Sequence, residues 1–297
     1  MASIKQLTNE FIVYLEKDKQ RSGRTTLNYN FYLRRFCAWA EKNKIEKMDN
    51  FSQSSIARYG EWLKKVYNPG RRVYLKKNSQ RSHLIALRMF CKFLSAKKGL
   101  RFDYQQIKLP PVVRPKFDGL DKARLEMMLT APRSAERSKL LAMRDAAILE
   151  LLHDSGLKVS EISHLRKNDL NLLKNIIRVK SKHGWREILV GNQARYALAQ
   201  YLQARKDKLD FVFIGHDRTF FRRARQGAVR GLTPRSVERI VQGRALAARA
   251  EAPITPERLR RNYISRLIKK GESANNIKKR MGFVSDNYKS RFVLRTH

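Results

Sequence analysis

Apolar residues recur at three- and four-residue spacing through the first hundred residues, which is the pattern of amphipathic helices. The pattern predicts four helices, beginning near Ile4, Thr25, Ser54 and Ser79, with short polar breaks between them. Their inward positions are, in chain order, Leu7, Phe11, Tyr14 and Leu15; Leu27, Phe31, Phe36 and Trp39; Ile56, Tyr59, Trp62 and Leu63; and Leu84, Leu87, Phe90, Cys91 and Leu94. Four helices with short connections predict a small all-α bundle.

Residues 107–116 interrupt this helical pattern. They read IKLPPVVRPK, with prolines at Pro110, Pro111 and Pro115. Proline cannot continue a helix and favours an extended chain. We therefore expect an interdomain linker here, between a helical domain over residues 1–106 and a second domain over residues 117–297.

The second domain mixes helical and alternating patterns. Helices are predicted from about 121 to 129, over 144–153 and 193–206, and from residue 234, whereas alternation predicts strands over 175–180 and 185–190. Residues 211–214 predict a short edge strand, and the arginine-rich stretch 218–230 predicts a loop. The whole pattern indicates a mainly α fold with a small β-hairpin, of the α+β class.

The clearest helix start in the chain lies at residues 255–257. Thr255 is suited to the N-cap, Pro256 to the first helical position, and Glu257 follows them. Gly271 is suited to end this helix. Its predicted inward positions are Leu259, Tyr263, Leu267 and Ile268.

The charge balance is strongly basic, with 65 Lys and Arg against 26 Asp and Glu and a formal net charge of +39. Such an excess repels itself unless a polyanion offsets it, and duplex DNA carries one charge per roughly 1.7 Å of axis. The charge therefore predicts a nucleic-acid partner, either DNA or RNA.

Other classes of chemistry find little support in the sequence. Cys37 and Cys91 lie inside apolar helical patterns and are expected to be buried thiols, so we expect no disulfide, no metal site and no cofactor. No apolar run approaches the roughly 20 residues that a membrane span needs, and the N-terminus has no signal-peptide pattern. We expect a soluble, cytoplasmic protein.

Three separate stretches carry the candidate chemistry. Residues 155–162 read SGLKVSEI, Lys182 lies between the two predicted strands, and residues 256–292 contain PERLR, then MGF, then Phe292. These stretches resemble motifs of the tyrosine recombinase family, which includes the phage integrases and Xer proteins. That family carries T-G-L-R-x-S-E-L, a hairpin lysine, P-H-x-L-R, L-G-H and a nucleophilic tyrosine. The matching positions here are Lys158, Lys182, Glu257, Arg260, Phe283 and Phe292.

The resemblance implies a particular architecture and reaction. A helical core-binding (SAM-like) domain and a catalytic-type domain would close around duplex DNA as a C-shaped clamp. In the family, two arginines grip the scissile phosphate, the hairpin lysine protonates the leaving oxygen, and the tyrosine attacks. Only Lys182 and Arg260 match this set. Lys158 replaces an arginine, Glu257 and Phe283 replace groups that bind phosphate oxygens, and Phe292 has no oxygen with which to attack.

We therefore expect a protein that binds duplex DNA without cutting it, as an accessory or regulatory factor in recombination or of a mobile element. Its partners would be an intact recombinase or further copies of itself in a dimer or tetramer, at the nucleoid. The alternatives are an active recombinase that uses Tyr288, one whose tyrosine at position 292 has been replaced, and an RNA- or chromatin-type binder. The expected DNA contacts are Lys158, Lys182 and Arg260, with Arg71, Arg72, Arg81, Arg88, Lys92, Arg222, Arg223, Arg225 and Arg230.

Overall fold

The chain folds into two compact units, Met1–Pro115 and Lys116–His297. The computed structural model describes residues 2–68, 72–100, 102–113, 122–130, 139–181, 184–227, 230–250 and 254–283. The predicted mainly α fold with a small sheet is confirmed. Among the described residues, no helix is both long and apolar enough to cross a membrane.

The first unit contains the four predicted helices and a short hairpin where the sequence predicted only a polar break between the third and fourth helices. The elements are α1 (Ile4–Lys17), α2 (Gly23–Lys42), α3 (Gln53–Lys64), the strands β1 (Tyr67–Asn68) and β2 (Val73–Tyr74), and α4 (Lys77–Lys98). Aromatic side chains dominate the core, with the Phe11 and Phe90 rings 5.7 Å apart and the Phe36 and Tyr59 rings 5.1 Å apart. Such edge and tilted contacts stabilise the bundle beyond simple area burial.

Three predictions of burial in this unit were wrong. Leu27 and Phe31 on α2 are 65% and 61% exposed, because the face of α2 that they share is covered only in part, with the Phe31 ring 6.2 Å from that of His83 on α4. Cys37 is half-buried rather than buried, whereas Cys91 is fully buried as expected. The amphipathic pattern correctly predicted α2, but it predicted a wider buried face than the helix has.

The proline-rich segment lies along α4 and is held by its polar side chains. Arg81 donates from Nη1 to the carbonyl of Pro110 at 2.6 Å, and Asn78 exchanges two hydrogen bonds with the backbone of Val113, at 2.7 and 2.9 Å. Arg88 donates to the carbonyls of residues 105 and 107. Two arginines expected on DNA are therefore engaged with the chain's own backbone.

The second unit is built around a buried helix and a three-stranded antiparallel sheet of order β3-β4-β5. Its elements are α5 (Lys122–Thr130), α6 (Lys139–Ser155), α7 (Val159–His164), β3 (Leu170–Asn171), β4 (Ile176–Ser181), β5 (Gly184–Leu189), α8 (Asn192–Ala204), α9 (Arg218–Arg225), α10 (Pro234–Ala247), α11 (Pro256–Lys269) and α12 (Ala274–Met281). The sheet pairs Ile177 with Ile188, which places both side chains in the core. The α6 residues Ile148, Leu151 and Leu152 are fully buried beside them.

Several local predictions in this unit need correction. The arginine-rich stretch predicted as a loop forms α9, whose N-cap Asp217 accepts from the backbone N–H of Phe220 at 2.8 Å. The strip 211–214 forms only an isolated bridge between Phe211 and Arg166. Ile268 is 40% exposed, because its neighbour Leu267 occupies the side of α11 that faces the core. Each error concerns a short segment whose state depends on tertiary contacts.

Candidate functional site

Arg260 is the residue around which the candidate site is assembled. The hydroxyl of Thr255 caps α11 by accepting from the Arg258 backbone N–H at 3.2 Å, as the sequence predicted. One turn into the helix, Arg260 is only 3% exposed. Its Nη1 donates to the Gly156 carbonyl and its Nη2 to the Met281 carbonyl at 2.9 Å. One guanidinium therefore joins α11 to the ends of α6 and α12.

Gly156 makes this close approach feasible. Its backbone is left-handed, with φ +60°, which side chains other than glycine rarely tolerate. A Cβ at this position would lie 2.6 Å from Cδ1 of Tyr263 and 3.0 Å from Cε of Met281. The glycine of the SGLK stretch therefore lets the α6 end pack directly on α11 and α12.

A buried ion pair beneath the site fixes the hairpin strand β5. Arg186 donates from Nη1 and Nη2 to the two carboxylate oxygens of Glu161, at 2.8 and 2.9 Å, and from Nε to the Arg280 carbonyl at 2.9 Å. Glu161 also accepts from the backbone N–H of Lys158 at 2.9 Å. Burial alone would raise the pKa of the Glu161 carboxyl, but the hydrogen bonds and charge of Arg186 outweigh it and the pKa is lowered.

Glu161 lies within the SGLKVSEI stretch but had no predicted role, and Arg186 was not predicted as a site residue. A signal for Arg186 existed, because it lies on the same face of β5 as the buried Ile188. An arginine on the core face of a strand requires an internal acceptor. The sequence alone does not say which acid supplies it.

Lys158 stands at the start of α7, on an open cleft of about 470 Å³. The cleft is lined by residues 157–160, Glu238, Gln242, Thr255, Pro256, Glu257 and Arg260. The Lys158 side chain is exposed, yet partial burial lowers the pKa of its ammonium, against the opposing charge of Glu161. Burial likewise lowers the pKa of Arg260, to about 10. Two cations therefore lie at one cleft, one on its rim and one in its floor.

Glu257 lies on the same cleft, in the first turn of α11. Its side chain is 57% exposed, and one carboxylate oxygen lies 3.8 Å from Nε of Arg261. A carboxylate near a helix N-terminus interacts favourably with the helix dipole. Both contacts reduce the repulsion between Glu257 and an incoming anion.

Phe283 follows α12, whose last turn ends at the left-handed Gly282 with φ +63°. The ring packs against the apolar cluster that includes Tyr263 and Met281, and its centroid lies 5.3 Å from the guanidinium carbon of Arg260. Such a contact stabilises a cation electrostatically but offers no hydrogen bond to a phosphate oxygen. Phe283 is half-buried, so its ring partly shields the Arg260 guanidinium from solvent.

The structure brings together Lys158, Glu257, Arg260 and Phe283, four of the six matched positions. Lys182, Tyr288, Phe292 and Arg71 lie outside the described residues. Among the remaining expected contacts, the exposed ones are Arg72, Lys92, Arg222, Arg223, Arg225 and Arg230. Within the part of the chain that the structure describes, no group of three or more His, Cys, Asp and Glu side chains could hold a metal ion.

Comparison with known proteins identifies the family. Residues 119–293 match the phage integrase family, and residues 8–98 match its N-terminal SAM-like domain. The chain belongs to the phage integrase family. This membership confirms the resemblance drawn from the motifs, and it assigns both units of the chain to known domains of that family.

Relatives of this integrase-family chain extend over nearly its whole length. It is 27% identical over 288 residues to the tyrosine recombinase XerD of Listeria innocua, covering 93% of this chain and 89% of the relative. It is 29% identical over 289 residues to the tyrosine recombinase XerC of Bacillus subtilis, covering 95% and 89%.

Two solved structures share the fold. One is the Tn1549 transposon integrase in complex with transposon right-end DNA, with a TM-score of 0.72, 16% identity and coverage of 98% of this chain and 94% of that chain. The other is the XerH site-specific recombinase bound to palindromic difH substrate, with a TM-score of 0.68, 17% identity and coverage of 96% and 80%. At these identities the likeness concerns the fold alone.

Proposed function

We propose that this integrase-family protein binds duplex DNA without cutting it, as an accessory or regulatory factor in recombination. The observation that carries the proposal is the cleft of the second unit, where Lys158 and Arg260 supply positive charge at positions that match the family's phosphate-binding residues. A net charge of +39 supplies the long-range attraction to DNA. The complexes of Tn1549 integrase and XerH with DNA support a duplex as the partner.

Within the cleft, the two cations have different roles. Lys158 is exposed on the rim and would meet a backbone phosphate directly. Arg260 donates two hydrogen bonds to backbone carbonyls and is only 3% exposed. It would therefore attract a phosphate chiefly through the electrostatic field of its charge at the floor of the cleft. Lys182, which matches the hairpin lysine of the family, would supply a further positive charge.

The flanking cations would extend the contact along the DNA backbone. We assign this role to Arg71, Arg72, Lys92, Arg222, Arg223, Arg225 and Arg230. Arg81 and Arg88 bind carbonyls of the segment 105–110, so their contribution to DNA binding is expected to be smaller and mainly structural. Phosphate contacts of this kind position a protein without selecting a base sequence.

Three residues argue against strand cleavage. Phe292 has no hydroxyl to attack a phosphodiester, so it cannot form the phosphotyrosyl intermediate that the family resemblance implies. Lys158 provides a point charge where the family has a guanidinium that binds two oxygens at once. Phe283 covers Arg260 and cannot donate to a phosphate oxygen.

Salt dependence of duplex binding tests the proposal. With about six phosphate contacts, the plot of log affinity against log salt concentration should have a slope of about −5. Lys158→Gln should reduce the magnitude of that slope by about 1. The matched control is Lys174→Gln, which removes an exposed lysine of the same unit outside the cleft. A flat salt response, or equal effects of the two variants, would contradict the proposal.

The alternative function is that of an active, divergent recombinase. Its support is the family itself, since the relatives named above are tyrosine recombinases. The hydroxyl would come from Tyr288, or from a tyrosine at position 292 in the natural protein. A covalent protein–DNA adduct on a nicked duplex distinguishes this function from binding alone. Competition by structured RNA as effective as that by duplex DNA would instead favour an RNA-type binder.

A further inference from the structure

The hairpin of the first unit presents two tyrosine rings to solvent. Tyr67 on β1 and Tyr74 on β2 are paired directly across the strands, so their side chains lie on one face. Their ring centroids are 5.3 Å apart at an angle of 65°, an edge-to-face contact. Tyr67 is nevertheless 48% exposed and Tyr74 is 64% exposed. The pair therefore leaves much of its aromatic surface open.

The hairpin is anchored to the bundle at its base. The Leu75 backbone N–H donates to the Val66 carbonyl at 2.9 Å, which extends the pairing by one step. Leu75 packs against the core of the first unit, and the buried Gln80 donates from Nε2 to the Leu75 carbonyl at 2.7 Å. The two rings are thus held on an element whose position is fixed by α4.

The surroundings of the rings are basic to an unusual degree. From residue 62 to residue 102 the chain contains twelve lysines and arginines and no aspartate or glutamate. Lys65, Arg72, Lys76 and Lys77 are exposed close to the hairpin strands. Lys76 is the N-cap of α4, and the first turn of that helix carries no acidic side chain. The charge complements a polyanion, and the rings complement flat apolar groups.

We propose that the β1–β2 hairpin binds single-stranded DNA, with unpaired bases stacked on Tyr67 and Tyr74 and the phosphates beside the flanking lysines. Proteins that bind single-stranded nucleic acids combine exposed aromatic rings with a positively charged surface in this way. In a duplex, each base face is already stacked on the neighbouring base pair and is not available to the tyrosine rings. The two rings would therefore add little to the affinity for paired DNA. This contact shares no residue with the cleft of the second unit and goes beyond the proposed duplex binding.

The test measures binding of the full chain to a fluorescein-labelled oligothymidylate of twelve nucleotides and to a blunt duplex, at one fixed salt concentration. Tyr74→Leu should weaken single-strand binding about 5- to 150-fold, because stacking on one ring is lost. Tyr74→Phe keeps the ring and should stay within about twofold of the unchanged protein. Tyr196→Leu is the matched control, since Tyr196 is 60% exposed and lies in the other unit.

The outcomes separate this proposal from the duplex proposal. Tyr74→Leu should leave duplex affinity unchanged, whereas Lys158→Gln should weaken duplex binding and leave the oligothymidylate affinity unchanged. Loss of single-strand binding in Tyr74→Leu with retention in Tyr74→Phe supports stacking. Equal affinity of Tyr74→Leu and the unchanged protein overturns the proposal. Equal losses in Tyr74→Phe and Tyr74→Leu also overturn it, because they would indicate a hydrogen bond from the phenol.

Discussion

The buried pair of Arg186 and Glu161 offers the sharpest stability test of the second unit. The Arg186→Met substitution keeps the apolar bulk of the side chain but removes both hydrogen bonds to the carboxylate. The two side chains are only 10% and 4% exposed, so the carboxylate left behind would keep a single backbone donor, that of Lys158. Breaking such a pair from one side costs about 3 to 5 kcal/mol.

Hydrogen exchange followed by mass spectrometry measures this loss in the second unit alone. The amides of residues 147–152 lie in the fully buried part of α6 and report on opening of that unit. A loss of about 3 to 5 kcal/mol corresponds to a fall in protection of roughly two to four orders of magnitude. The matched control is Arg166→Met, whose pair with Asp210 is 54% and 42% exposed. It should cost about 0 to 1 kcal/mol, which is less than a tenfold fall.

The pH dependence of the stability lost in Arg186→Met gives a second check. In the unchanged protein the pKa of Glu161 is lowered, so the ionised carboxylate contributes stability that is lost as pH falls. Without Arg186, burial raises that pKa above its value in the unfolded chain, and protonation then relieves the penalty. The deficit of Arg186→Met should therefore shrink between pH 7 and pH 4. Equal protection losses in Arg186→Met and Arg166→Met would refute the reasoning.

Two further predictions concern backbone and protonation. Gly156→Ala should destabilise the second unit by about 1 to 3 kcal/mol, because the backbone at Gly156 is left-handed and the added Cβ would meet Tyr263. Gly23→Ala is the control and should not destabilise the first unit, because nothing lies within 4 Å of the added Cβ. Denaturant titration measures the stability of both variants. His83 is the only histidine in residues 1–115, and burial lowers its pKa to about 4. Since the unfolded chain binds the proton more readily, stability of the first unit should fall by about 2 kcal/mol from pH 7 to pH 5. His83→Gln should remove most of that fall. If the pH profile of His83→Gln is the same as that of the unchanged protein, His83 is not the group responsible.

Local sequence signals predicted much of the fold because their physics is local. Helices were predicted from residues 234 and 256, and the threonine before each of them, Thr233 or Thr255, accepts a hydrogen bond from the backbone N–H three residues on. The alternating stretches around residue 180 became β4 and β5 because apolar alternation fits a half-buried strand. Matching the motifs to a family supplied the positions of Lys158 and Arg260.

What the sequence could not predict depends on contacts between distant residues. Arg186 and Glu161 are 25 residues apart, and no local pattern says that they pair. Arg260 was expected to face a phosphate, yet it also binds carbonyls 104 and 21 residues away. Leu27 and Phe31 have the spacing of core residues, but whether another element covers them is decided by the packing of the whole unit.

Covalent trapping distinguishes binding without cleavage from strand cleavage. The full chain is incubated with a nicked duplex, from which the broken strand end can diffuse away, and a denaturing gel then separates free DNA from any protein-linked strand. Binding without cleavage should give a complex in a native gel and no protein-linked strand in the denaturing gel. A protein-linked strand that disappears in Tyr288→Phe would show instead that this chain is an active recombinase with Tyr288 as its nucleophile.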